Sequence, residues 1–163
     1  MSSGVVYKGS GLSSIDAKGR TTIPSVLRDS VQQSSGGNTL YVGRHSSLPC
    51  LVGIGLEELH EIKSDIQERR SAANARADEF DKEVAGASGS SIFDVNFEAS
   101  GRFVLHPMLK FFSKLEDSAF FFGTIGNFLI WNPEIFLNEG PSEFDAQKDE
   151  LRFWQQEHGR RAK

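Results

Sequence analysis

The sequence has little cysteine and no long hydrophobic run, and both shortages limit what the protein can be. A single cysteine, Cys50, among 163 residues cannot form an intramolecular disulfide, which fits a reducing compartment. No stretch approaches the roughly 18 apolar residues of a membrane span. The first four residues lack the basic start and apolar core of a signal peptide. We therefore expect a cytoplasmic globular protein that contacts no membrane.

The residue patterns of a metal centre or an enzyme active site are also missing. The four histidines are scattered without metal-ligand spacing: His45, His60, His106 and His158. Cys50 lies in an apolar stretch typical of a small buried side chain, and there is no phosphate-binding loop of the Gly-x-x-x-x-Gly-Lys type. We expect no cofactor, no metal, no small-molecule substrate and no enzymatic activity. A hydrolase or transferase that uses Asp16 or His106 is the alternative.

Positive charge is scarce overall but concentrated near the start of the chain. The net charge of −4 argues against a nucleic-acid binder. The first 50 residues nevertheless hold five basic residues against two acidic ones, a surplus of three positive charges. The basic residues are Lys8, Lys18, Arg20, Arg28 and Arg44. Because the local field matters more than the total, this part of the chain can still attract a polyanion.

Residues 14–28 combine four structural signals. Alternating side chains up to Ala17 predict a strand, and Lys18-Gly19 then predicts a tight turn, since glycine accepts a positive φ. A β-rich segment follows over residues 20–23, and Pro24 suits the first turn of a short helix. The segment is therefore expected to form a strand, a turn, a strand and a helix.

The same phrase returns 82 residues later without a slip in register. Glu98-Ala99-Ser100-Gly101-Arg102 repeats Asp16-Ala17-Lys18-Gly19-Arg20, Phe103–Leu105 repeats Thr21–Ile23, and Met108–Lys110 repeats Val26–Arg28. Such internal similarity predicts two copies of one supersecondary unit. Each copy places an acid four residues before an arginine, around a turn glycine. The pair is either a salt bridge that pins a hairpin or a device that orients a guanidinium toward an anion.

The remaining segments predict a mixture of strands and helices. Strands are expected at 5–8, 39–42, 50–54, 92–97, 119–122 and 128–131. Helices are expected at 25–31, before a loop at 34–38, at 56–84 with a possible division at 71–74, at 107–112 and at 133–137. The charges between the apolar positions of the long helix are interpreted as a solvated face. Residues 86–91 form a flexible joint between the halves.

Two features of the second half concern packing. Phe120, Phe121 and Phe122 place aromatic rings on both faces of one strand, so either another subunit covers one face or both faces pack within a closed barrel. The tail predicts a helix with Ser142 as its N-cap and Gly159 as its end, followed by a basic tip. Phe144, Leu151 and Trp154 are expected to share one face of this helix.

The two copies together resemble the MraZ family of bacterial transcription factors, within the wider AbrB-like group. The resemblance covers residues 5–138 and is closest at Ile15-Asp16-Ala17-Lys18-Gly19-Arg20 with Ile23-Pro24 and Leu27-Arg28. It implies a mainly β fold with helices (α+β), in which two fused AbrB-like half-units form a pseudo-symmetric double-split β-barrel with a C-terminal helical extension. The domain boundaries are then 5–54 for the first unit, 55–91 for a helical segment and linker, 92–138 for the second unit and 139–163 for the helix and basic tail.

The resemblance also implies a function and its residues. It implies a nucleoid-associated repressor of the division and cell-wall gene cluster, which binds short direct repeats in upstream double-stranded DNA as a ring-like homo-oligomer. The expected DNA contacts are Lys18, Arg20, Arg28, Arg102 and Lys8, oriented by Asp16, Gly19, Glu98 and Gly101. Ser100 and His106 depart from the first copy, so the second unit is expected to contribute less. The alternative is an antitoxin-like protein-interaction module of the same fold.

Overall fold

The structure is a computed structural model that describes residues 4–76 and 91–161. The strands are β1 (Ser10–Ser14), β2 (Arg20–Thr22), β3 (Thr39–Arg44), β4 (Leu51–Ile54), β5 (Ile92–Asn96), β6 (Arg102–Val104), β7 (Ser118–Gly123) and β8 (Phe128–Trp131). The helices are α1 (Ser25–Ser35), α2 (Leu56–Ala75), α3 (Pro107–Ser113), α4 (Pro133–Glu139) and α5 (Asp145–Arg161), and a 3₁₀ turn spans Ser142–Phe144. None of the helices in the described ranges is long and apolar enough to cross a membrane.

The two halves of the chain are interleaved through their strands. Six strands form one antiparallel sheet in the order β1-β7-β8-β4-β3-β5, and β2 pairs with β6 in a separate two-stranded ribbon. Four pairings therefore join the halves: β1 with β7, β2 with β6, β3 with β5, and β4 with β8. The predicted α+β fold of two pseudo-symmetric half-units with a C-terminal helical extension is confirmed.

Two apolar clusters account for the packing. The first lies inside, between the sheet and the ribbon, and includes Leu40, Phe103 and Phe121. The second lies on the other face of β7, where α4 and α5 cover Phe120 and Phe122. Both faces of the phenylalanine strand are thus covered by this chain. Packing on both faces within one chain is therefore observed, but helices α4 and α5, and not a closed barrel, cover the outer face. Cover by another subunit is not needed.

Three of the predicted element boundaries in the first half are wrong. Residues 5–8 form no strand but one bridge between Tyr7 and Ile125, because Gly9 turns the backbone with a φ of +84°. The helix predicted at 25–31 continues to Ser35, through the start of the predicted loop, and is capped by Gly36 in the left-handed conformation. The division at 71–74 is absent, and α2 runs through it. The predicted helix beyond residue 76 and the joint up to residue 90 lie outside the described residues.

The tail begins and ends differently from the prediction. Ser142 starts the 3₁₀ turn after Pro141 and is not the N-cap of the long helix. Gly159 lies inside α5, which continues to Arg161, and basic side chains in a last helical turn interact favourably with the helix dipole. The predicted apolar face is confirmed, since Leu151 is fully buried and packs with the half-buried Phe144 and Trp154.

Candidate nucleic-acid interface

The first turn is held together by Asp16. One oxygen of its carboxylate accepts hydrogen bonds from the backbone N–H groups of Lys18 and Arg20, both at 2.9 Å. The other oxygen accepts from Nε of Arg20 at 2.6 Å. The backbone hydrogen bond from Arg20, and after it the Arg20 side chain, hold the pKa of Asp16 below its ordinary value. Asp16 is therefore ionised at neutral pH and holds Nε of the Arg20 guanidinium in place.

The second turn repeats this geometry with a longer acid. Glu98 accepts from Nε of Arg102 at 3.2 Å and from Nη2 at 3.4 Å. Its backbone carbonyl accepts from the N–H of Gly101 at 2.7 Å, as that of Asp16 does from Gly19 at 3.0 Å. The side chain of Glu98 makes no bond to the backbone of its own turn within the described ranges. The second turn therefore has the ion pair of the first without its backbone clamp.

Each turn is bonded to the end of the opposite unit's strand, so the two turns lie at opposite ends of the β2–β6 ribbon. The N–H of Leu105 donates to the carbonyl of Gly19 at 2.8 Å, and the N–H of Ile23 donates to the carbonyl of Gly101 at 3.0 Å. Gly19 and Gly101 have φ values of +79° and +90°, which side chains rarely adopt. A Cβ on Gly101 would also lie 2.9 Å from the Ile23 carbonyl. Glycine at these positions lets each turn pack closely against the end of the opposite strand.

Each turn also lies beside a basic residue on the helix of the opposite unit. Nη1 of Arg28, on α1, donates to the carbonyl of Ala99 in the second turn at 3.2 Å. Lys110, on α3, comes within 4.0 Å of the position that a Cβ on Gly19 would occupy. Lys110 was missed as a candidate site residue, although it is the counterpart of Arg28 in the 82-residue repeat. The basic surface of each turn is thus built from both halves of the chain.

The predicted site residues are not all in one place. The β2–β6 ribbon and the turns at its two ends hold Lys18, Arg20, Arg28 and Arg102 with their orienting residues Asp16, Gly19, Glu98 and Gly101. Lys8 is exposed and precedes Gly9, whose backbone faces Val26 of α1. No hydrogen bond or ion pair within the described ranges ties Lys8 to either turn. Lys8 therefore remains a separate basic position beside α1.

His106, which the alternative enzyme hypothesis uses, and the single cysteine both lie in structural positions. His106 occupies the place of Pro24 in the second unit, where its Nδ1 accepts the N–H of Met108 at 3.1 Å and caps α3. Its ring also stacks on Phe93, with ring centres 4.5 Å apart. Burial raises the pKa of Cys50 to about 12, which disfavours the reactive thiolate.

Comparison with known proteins gives one consistent result. A protein of Pseudomonas putida named "Transcriptional regulator MraZ" is 28% identical over 153 residues, which cover 90% of this chain and 97% of that protein. Proteins with the same name are 29% identical in Pseudomonas fluorescens, over 90% of this chain and 97% of that protein, and 28% identical in Pseudomonas entomophila, over 79% and 82%. No family model matches the chain.

Proposed function

We propose that the chain, which is similar to proteins named transcriptional regulator MraZ, is a transcriptional regulator that binds double-stranded DNA through its two turns and the β2–β6 ribbon. The observation that carries the proposal is the pairing of Asp16 with Arg20 and of Glu98 with Arg102 on turns that the β2–β6 ribbon joins. Two oriented guanidinium groups on one exposed surface suit a polyanion. The proposed role is therefore binding and regulation, not catalysis.

The geometry of Arg20 suits this role. Asp16 engages its Nε, and neither Nη nitrogen donates to another residue within the described ranges. A guanidinium held in this way presents its outer edge to a phosphate or to the acceptor atoms of guanine, both of which it binds bidentately. The Asp16 clamp lowers the entropy cost of placing that edge, and the exposed Lys18 adds positive charge beside it.

The finer parts of the proposal come from the family resemblance. They are repression of the division and cell-wall gene cluster, direct repeats upstream of it as the operator, and a ring-like homo-oligomer in the cytoplasm at the nucleoid. An oligomer would repeat the positive surface of each first unit, and linked weak contacts would act together through their effective concentration. The phenylalanine strand no longer supports an oligomer, since α4 and α5 cover its outer face.

One observation favours a second candidate, a protein-interaction module without regulatory DNA binding. Phe111 and Met108 on α3 are 77% and 48% exposed, which is unusual for large apolar side chains on a polar surface. In this alternative α3 contacts a partner protein, and Arg20 only pins its hairpin. A change at Arg20 would then leave DNA binding unaltered, so the two candidates are separable.

We expect Arg20→Ala to weaken binding to upstream DNA and to flatten its salt dependence. Each lost phosphate contact should reduce the slope of log affinity against log salt by about 0.9. The melting temperature should change little, because an exposed ion pair contributes under about 1 kcal/mol. Fluorescence anisotropy across a salt series measures the slope, and calorimetry measures the melting temperature.

Arg152→Ala is the matched control. Arg152 forms the same kind of exposed ion pair, with Asp149 at 2.9 Å, but on α5. The Arg152→Ala substitution removes the same charge as Arg20→Ala and should leave the salt slope unchanged. Arg102→Ala should lie between the two, since the second turn has Ser100 where the first has Lys18. An Arg20→Ala protein that binds DNA normally but melts far earlier would show that Arg20 is structural.

A further inference from the structure

The outward face of the ribbon carries four side chains in a regular arrangement. In the β2–β6 pair, Arg20 lies opposite Val104 and Thr22 lies opposite Arg102, while Thr21 and Phe103 between them are buried. Residues directly opposite on antiparallel strands point to the same face. The face is therefore a square with the two arginines on one diagonal and two β-branched side chains on the other.

Val104 is the unexpected member of this square. It is 55% exposed, and its neighbours on the face are the two arginines and a threonine. The internal repeat relates Val104 to Thr22, just as it relates Arg102 to Arg20. Each arginine thus has an exposed β-branched partner directly across the ribbon, and both partners carry at least one methyl group.

This arrangement matches the chemistry of the DNA major groove. The groove is about 12 Å wide and admits a two-stranded ribbon, and three residues per strand span roughly 10 Å. Arginine pairs bidentately with O6 and N7 of guanine, and apolar side chains or the threonine methyl contact the C5-methyl of thymine. A minor-groove reader would have no such methyl group to contact, because thymine presents only O2 there.

We propose that the β2–β6 ribbon enters the major groove and that Val104 contacts the C5-methyl of a thymine beside the base that Arg20 contacts. Thr22 stands in the same relation to Arg102. The inference rests on the proposed function and adds to it a specificity-determining residue and the base feature that it recognises. Val104 selects a sequence and the arginines supply most of the affinity.

The test removes the methyl group from each side of the contact in turn. The probe is the duplex that the full chain enriches most strongly from a random pool. Each thymine in it is replaced singly by deoxyuridine, which differs only in lacking the C5-methyl. With the unmodified protein, at least one replacement should weaken binding about fourfold, the factor expected for burial of one methyl group.

Val104→Ala should weaken binding to the unmodified duplex by a similar factor and should no longer respond to that deoxyuridine. Val104→Thr keeps an outward methyl group and should still respond. Because the Val104 side chain is exposed, the Val104→Ala protein should melt at the wild-type temperature. An unchanged melting temperature excludes a folding effect.

Three results would overturn the inference. If the Val104→Ala protein responds to every deoxyuridine as the unmodified protein does, the Val104 side chain contacts no thymine methyl group. If the chain enriches a sequence and Arg20→Ala lowers its affinity, but no deoxyuridine weakens binding, the proposed function stands and this inference fails. A chain that enriches no sequence and binds DNA no better than Arg20→Ala would contradict both.

Discussion

Replacing Leu151 by alanine is expected to lower the free energy of unfolding by about 2–5 kcal/mol. Leu151 is fully buried, in the cluster where α5 covers Phe120 and Phe122. Its removal leaves a cavity between the helix and β7. The helix is also tied to the body by Ser10, which donates to Glu150 at 2.6 Å and accepts from Nε1 of Trp154 at 3.0 Å. These bonds hold the helix in place, so the cavity cannot close easily.

Phe153→Ala provides the control on the same helix. Phe153 is larger than Leu151 but 54% exposed, so its truncation should cost well under 1 kcal/mol by urea denaturation. Below its melting temperature, Leu151→Ala should keep its preference for cognate over random DNA, because both turns lie outside this cluster. Equal small losses from the two variants would show that α5 does not pack on β7.

Replacing Glu58 by alanine is expected to cost about 3 kcal/mol or more. Glu58 is 5% exposed, and its carboxylate accepts from the Tyr7 hydroxyl, the Ser34 hydroxyl at 2.9 Å and the Gly55 N–H at 2.9 Å. Burial, followed by the hydrogen bond to Glu58, raises the pKa of Tyr7, so its hydroxyl stays a donor at neutral pH. Alanine leaves three buried donors without this acceptor, at about 1–3 kcal/mol for each one left unsatisfied.

The neighbouring Glu57→Ala separates this network from a general helix effect. Glu57 is exposed in the same first turn of α2, where an acid contributes about 0.3–1 kcal/mol through the helix dipole. Glu58→Gln keeps one acceptor oxygen and should fall between the two. If Glu58→Ala and Glu57→Ala unfold at the same urea concentration, the buried network does not hold α1, α2 and the N-terminal segment together.

Local signals made the turns predictable. Asp16, Gly19 and Arg20 are close in sequence, and a turn glycine with an acid and an arginine four apart specifies their geometry without help from distant residues. The 82-residue repeat similarly predicted the second turn and the position of α3. The strand pairings between the halves could not be derived from composition or periodicity, and they were expected only from the family resemblance.

Long-range contacts account for the wrong predictions. Glu58 was interpreted as part of a solvated face because its neighbours in α2 are charged, yet Tyr7 and Ser34 bury it from remote segments. The sequence did not determine what covers the outer face of Phe120 and Phe122, because the strand itself does not encode the path of the tail over β7. Lys110 becomes part of the interface only because α3 of one half lies beside the turn of the other.

Hydrogen exchange of the full chain with and without its selected DNA tests the central claim most directly. We predict that DNA slows exchange in residues 14–24 and 98–106, which contain both turns and the ribbon, and leaves α2 unchanged. Protection confined to α2 or to the basic end of α5, with both turns exchanging as in the free protein, would contradict the assignment of the DNA-binding surface.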